Sequence, residues 1–122
     1  MKPFPPYDQL AFLIGAELSC VVLQPYSIDL NFVDGTVLVA EHGVEYVDER
    51  GKISAHDPQR RMGPDPVALH ALIGDRVVEV DVEAFRLTLV FHSARRRLTV
   101  LSQPGPYESG QIRRAGQRFI VF

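Results

Sequence analysis

The apolar positions of this chain fall into two matching runs. Residues 13–32 read LIGAELSCVVLQPYSIDLNF and residues 72–91 read LIGDRVVEVDVEAFRLTLVF. At an offset of 59, Leu13, Ile14, Gly15, Val21, Leu30 and Phe32 recur unchanged as Leu72, Ile73, Gly74, Val80, Leu89 and Phe91. The pairs Leu18/Val77, Leu23/Val82, Tyr26/Phe85 and Ile28/Leu87 keep apolar character. Internal repetition outranks local propensity as a fold signal, so the pattern predicts one supersecondary unit used twice.

Each copy is expected to open with a short helix. In the first, Asp8 is the cap, Leu10, Leu13 and Ile14 form the apolar stripe, and Gly15 supplies a left-handed stop. In the second, Asp65 caps, Pro66 sits at the first helical position, Leu69, Leu72 and Ile73 repeat the stripe, and Gly74 ends it. Helices this short are held only by packing.

Alternation of apolar and polar residues then predicts strands. It breaks at Gln24-Pro25 and again at Glu83-Ala84. A two-residue hairpin there sets Leu23 opposite Tyr26 and Val21 opposite Ile28; in the second copy it sets Val82 opposite Phe85 and Val80 opposite Leu87. A bulge in one bent strand is the alternative. Asp34-Gly35 is a hairpin signal that places Phe32 against Val37 and Leu30 against Val39. A longer loop, Ser93–Arg96, sets Phe91 against Leu98 and Leu89 against Val100. A final hairpin closes each half, from Val44–Asp48 to Lys52–Ser54 and from Glu108–Arg113 to Arg118–Phe122. One such meander cannot cover its own apolar face, but two can cover each other. The expected fold is therefore mainly β: two pseudo-symmetric antiparallel meander halves, each preceded by a short helix, packed as a β-sandwich or a partly open barrel. Residues 1–122 are read as a single domain, with repeats at 8–55 and 65–122 and a Pro-rich linker over 55–65.

The motif order LIGAEL, IDLNFVDG, HDP, LIGDRV, LTLVF and Tyr107-Glu108 resembles a family of small β-rich bacterial proteins of uncharacterised function. That family carries duplicated L-x-G-x-x-V and L-x-L-x-F-x-D-G halves and a C-terminal Y-E motif. The resemblance covers nearly the whole chain and implies the same duplicated fold, with no known activity. Ser109-Gly110 stands where the family has Ala-Trp, and Ala115-Gly116-Gln117 where it has a glycine run.

Composition narrows the class. A chain of 122 residues with 46% apolar content can bury a core without a disulfide or metal. One cysteine, Cys20, excludes an intrachain disulfide and fits a reducing compartment. The start, MKPFPPYDQL, does not read as a secretory signal, and no apolar run approaches a membrane span. Cytoplasmic localisation is the expectation.

The chemistry-bearing residues are sparse. His42, His56, His70 and His92 lack zinc-site spacing, and no nucleophile motif accompanies His56-Asp57, which reads as turn chemistry. No catalytic residue, cofactor or metal is assigned. Charge is more informative. Net charge is −2, yet from Ala84 onward seven arginines face one acid, Glu108. If each half is an up-and-down meander, one end of the first half carries Asp34, Asp48 and Glu49. The matching end of the second carries Arg95, Arg96, Arg97, Arg113 and Arg114. These turns form the candidate interaction surface, since arginine clusters engage carboxylates and phosphates bidentately. Tyr107 is expected to cap the core with its ring buried, or, with Glu108, to line a shallow cleft.

The reading is of a non-enzymatic protein-interaction module, by analogy immunity- or antitoxin-like, with an unknown protein or a second copy as partner. Anion or nucleic-acid binding through the Arg-rich turns is the first alternative. A pI near 6.0 and the lack of interleaved aromatics count against nucleic acid. A ligand or enzymatic pocket between the halves is the second.

Overall fold

Two five-stranded antiparallel sheets face one another, and each is built from both halves of the chain. The computed structural model describes residues 3–59, 66–104 and 107–122, with the backbone alone at residues 66–67. The strands are β1 (Leu18–Leu23), β2 (Ile28–Phe32), β3 (Val37–Ala40), β4 (Gly43–Val47), β5 (Ile53–His56), β6 (Val77–Glu83), β7 (Arg86–Phe91), β8 (Arg97–Leu101), β9 (Gly110–Arg113) and β10 (Ile120–Val121). One sheet has the order β1-β2-β3-β9-β10 and the other β5-β4-β8-β7-β6. The sheets stay open, so the fold is a sandwich and not a barrel.

Each half thus lays three strands in its own sheet and sends its last hairpin to the other. This corrects the expected five-stranded meander. The place beside β3 is taken by β9, with Leu38 opposite Ile112, and the pairing runs on as the Glu41 N–H donates to the Ser109 carbonyl. β4 takes the equivalent place beside β8, with Val44 opposite Val100.

The duplication is visible in the backbone. The Gly15 N–H donates to the Val77 carbonyl at 2.7 Å, and the Gly74 N–H to the Leu18 carbonyl at 2.8 Å. The Leu18 N–H donates to Asp75 and the Val77 N–H to Ala16, both at 2.9 Å. Each bond is its partner moved by the repeat offset with the halves exchanged. Between them Glu17 and Arg76 bridge to each other, so the pseudo-two-fold axis passes between these two residues. β1 and β6 even share a bulge, at Leu18/Cys20 and at Val77/Glu79.

The helical segments are shorter than a stable helix. Tyr7–Leu10 is one α-turn, followed by a 3₁₀ turn at Ala11–Leu13; Pro66–Leu72 is 3₁₀ throughout. Asp8 lies inside the first turn while Pro6 holds the cap position, so the expected Asp8 cap is not formed. The Asp65 cap lies outside the described residues. Leu10, Leu13, Leu69 and Leu72 are buried as the stripe predicts, but Ile14 and Ile73 are 41% and 38% exposed. Ile14 has already left the helix for an extended conformation, which turns its side chain outward.

Register departs from expectation in an instructive way. Val21 faces Leu30 and Leu23 faces Ile28, with Val80/Leu89 and Val82/Leu87 in the second copy. The shift is two residues, so each side chain keeps its face and changes only its neighbour. At Asp34-Gly35 the shift is one residue. Phe32 closes on Thr36 around a three-residue loop, with Gly35 at φ +90°. That places Leu30 opposite Leu38 and turns Val37 and Val39 to the outer face. In the second copy Leu89 faces Leu98 and Leu87 faces Val100.

Leu18, Ile28, Leu30, Phe32, Leu38 and Ile112 from one sheet meet Tyr46, Val80, Leu87, Leu89, Phe91, Leu98 and Val100 from the other in one continuous core. Phe4 and Phe122 close one end of it. No helix among the described residues is long and apolar enough to cross a membrane.

Candidate interaction surfaces

Exchange of the hairpins decides where the charged turns go. Because β4 and β5 belong to the second sheet, the turn carrying Asp48 and Glu49 lies beside the turn carrying Arg95, Arg96 and Arg97. Val47 faces Arg97 across the sheet, and Arg96 Nε donates to Glu49 Oε2 at 3.2 Å. The second hairpin likewise brings Arg113 and Arg114 to the Asp34 turn, with Arg113 opposite Val37. The expected separation into an acidic and a basic end is therefore corrected: the turns of each sheet carry both signs.

Most of these arginines have partners within the chain. Arg96 also donates to the Ala71 carbonyl at 3.1 Å, and Arg95 pairs with Glu79 at 2.6 Å. Arg114 lies 3.7 Å above the Phe12 ring. Arg113 donates to Gln111 Oε1 at 3.0 Å and lies 5.2 Å from the Phe119 ring centre. The acids work locally: Asp34 accepts the Thr36 N–H, and Asp48 accepts the N–H groups of Arg50 and Lys52 at 2.8 and 2.9 Å. Those two N–H groups, the Lys52 one foremost, hold the Asp48 carboxyl below its usual range. Nearby Tyr46, inside the sandwich, has its hydroxyl pushed up by burial.

Tyr107 does not cap the core. It is 80% exposed, and Glu108 beside it is exposed as well. The inward turn comes one residue later, at buried Ser109, whose Oγ accepts the Gln103 N–H at 3.2 Å. Phe4 and Phe122 occupy the end of the core that Tyr107 was expected to close.

Among the described residues two broad depressions lie on the outer sheet faces, and Tyr107 and Glu108 line neither. One, of about 430 Å³, crosses the second sheet and sets Glu45, Glu79, Asp81 and Glu83 against Arg86 and Arg97. The other, of about 720 Å³, crosses the first sheet with Val39 at its floor and Tyr26, Asp29, Glu41 and Arg113 around it. Val39 reaches this face only because of the one-residue shift at Gly35, so an alternation count alone hides the site.

Among the described residues no three His, Cys, Asp or Glu side chains converge as metal ligands. Asp57 accepts the Gln59 N–H at 3.0 Å, a local turn. Cys20 is free and exposed on β1. No protein family, no curated protein and no solved structure matches this chain.

Proposed function

We propose that the protein works by docking another protein on the outer face of its first sheet, around Tyr26, Val39, Arg113 and Phe119. The observation that carries this reading is the contrast between inside and outside. The space between the sheets is filled by apolar side chains, whereas Tyr26 and Phe119 stand 59% and 56% exposed beside the larger depression. Aromatic and arginine anchors around an apolar floor are what protein interfaces use for most of their affinity. The reading places the protein in the cytoplasm as a non-enzymatic partner, in the manner of an immunity or antitoxin protein.

The alternatives draw less support. Of the five arginines that an anion would need, Arg95, Arg96, Arg113 and Arg114 are engaged by Glu79, Glu49, Gln111 with Phe119, and Phe12. A pocket between the halves would displace packed leucines.

The test is affinity capture from the native host with wild type and with Tyr26→Ala/Arg113→Glu. A protein retained by wild type and lost, by at least about tenfold, from the folded variant supports the reading. Equal retention, or no specific partner, overturns it.

A further inference from the structure

The pseudo-two-fold axis meets the surface in a row of exposed side chains. The Val33 N–H donates to the Glu17 carbonyl and the His92 N–H to the Arg76 carbonyl, both at 2.9 Å, and Glu17 and Arg76 bridge to each other. Val33, Glu17, Arg76 and His92 therefore stand abreast on adjacent backbones, and residues abreast in a ladder share a face. That face is outward. All of them are exposed, Val33 at 65%, while the next residues along, Phe32, Leu18, Val77 and Phe91, are buried. Ile14 and Ile73 each precede a glycine bonded into the same backbone, and they add exposed apolar side chains related by the axis.

The repeat makes this surface alike in shape and opposite in charge. Positions 17 and 76 are equivalent, yet one holds glutamate and the other arginine. Among the described residues no ion pair engages either side chain. Asp75, next to Arg76, instead accepts the N–H groups of Arg76 and Ser93. The stretches outside the described residues adjoin the far ends of the edge strands. Gln59 donates to the Tyr26 carbonyl beyond the end of β1, and the Ser102 N–H to the Phe85 carbonyl beyond the end of β6. Pro66 begins a 3₁₀ segment that runs for seven residues, roughly 14 Å, before Ile73 is reached. No member of the row lines the depression at Val39, so this surface is separate from the docking face.

We infer that this row is a contact between two copies of the chain. A half-turn about an axis lying in the surface, along the local strand direction, sets Glu17 against Arg76 of the second copy and Arg76 against its Glu17. The charges then alternate around a square, with Val33 over His92 on either side and the isoleucines of both copies around it. The second copy is favoured by this complementarity: a surface whose own two-fold exchanges a carboxylate for a guanidinium fits itself. Such a contact is isologous, so it closes at two. The other half-turn sets Glu17 against Glu17 and Arg76 against Arg76, so charge also fixes the orientation. The patch is far smaller than the ~20–30 residues a side of a standard interface, so the dimer is concentration-dependent. The inference goes beyond the docking reading and does not rest on it.

The experiment is sedimentation velocity on the full chain from about 5 to about 500 µM, in about 20 mM and about 500 mM salt. Wild type should dimerise at the upper end and associate several-fold more weakly at the higher salt. Glu17→Arg and Arg76→Glu each set like charges across the contact and should weaken association at least about tenfold. An equimolar mixture of the two variants should associate again, and so should Glu17→Arg/Arg76→Glu, which exchanges the signs and keeps them opposite. Concentration-dependent NMR shifts of the Ile14 and Ile73 methyl groups locate the contact on the wild type. A monomer throughout, a dimer that both single variants retain, a mixture that stays monomeric, or shifts confined to other residues overturns the inference. Should a variant not fold, the salt response and the methyl shifts of the wild type decide. A host protein still captured through Tyr26 and Arg113 when the chain is monomeric leaves the docking reading intact and removes only the second copy.

Discussion

Phe4 and Phe122, from opposite ends of the sequence, stack with ring centres 4.3 Å apart and planes 27° apart. Phe122 is fully buried, Phe4 is 5% exposed, and the Phe4 N–H donates to the Ala84 carbonyl at 2.8 Å. The pair therefore ties the leading segment to the β6–β7 turn and to the last residues at once. Phe122→Ala should cost about 3–5 kcal/mol and Phe4→Ala somewhat less. A double-mutant cycle by urea unfolding should show a coupling of about 1 kcal/mol.

Among the described residues Gly110 is the glycine least able to accept a side chain. A Cβ there would overlap the Val39 carbonyl oxygen and the Phe122 ring, at the point where β9 meets β3. Gly110→Ala should lose about 3 kcal/mol or more, or prevent folding. Gly35→Ala meets open space and carries only the strain of a positive φ, about 1 kcal/mol. Chemical denaturation of both variants separates close approach from backbone strain.

The Arg96–Glu49 pair lies partly in solvent, at 22% and 48% side-chain exposure. Glu49→Gln should cost under about 1 kcal/mol, and less still in high salt. Arg96→Ala should cost more, since the Ala71 carbonyl also loses its donor. Thermal melts at two ionic strengths would show the salt-sensitive part in both variants and the remainder only in the second.

Asp48 should shape the acid side of stability. Its folded carboxyl titrates below the ordinary value of 3.8. Its contribution is therefore complete above the unfolded value and is lost as pH falls through the lower folded one. Asp48→Asn, which keeps an acceptor but cannot titrate, should flatten the melting profile below about pH 4. Tyr46 works on the alkaline side: its raised hydroxyl contributes fully below the ordinary value of 10.0, and the contribution is lost as pH rises through the folded value. Tyr46→Phe should flatten that limb.

The duplication, the strands and the inward face of Val21, Leu30 and Leu89 were all legible in the sequence, because burial leaves a period that survives any choice of partner. Partner choice itself was not. Val21 and Val80 keep their faces whether the hairpin turn falls at Gln24-Pro25 or one residue later, a move that shifts the strand partner by two, so alternation cannot fix the pairing. Gly35 was correctly a turn, but its left-handed φ makes a three-residue loop, and that single extra residue moved Val39 to the outer face. The crossing of β4 to the other sheet leaves no local trace, since Val44 and Tyr46 face an apolar core on either side. That one crossing is why the acidic and basic turns meet.

The exchanged hairpins also set an order of events during synthesis. β3 waits for a neighbour, β9, that lies about 70 positions further along the chain. While the ribosome is still making the second half, the edge of β3 and the apolar side of the first half have no permanent cover. The nascent chain is then at its most adhesive, and a holdase chaperone or slowed elongation before residue 110 would have its largest effect on yield at that stage.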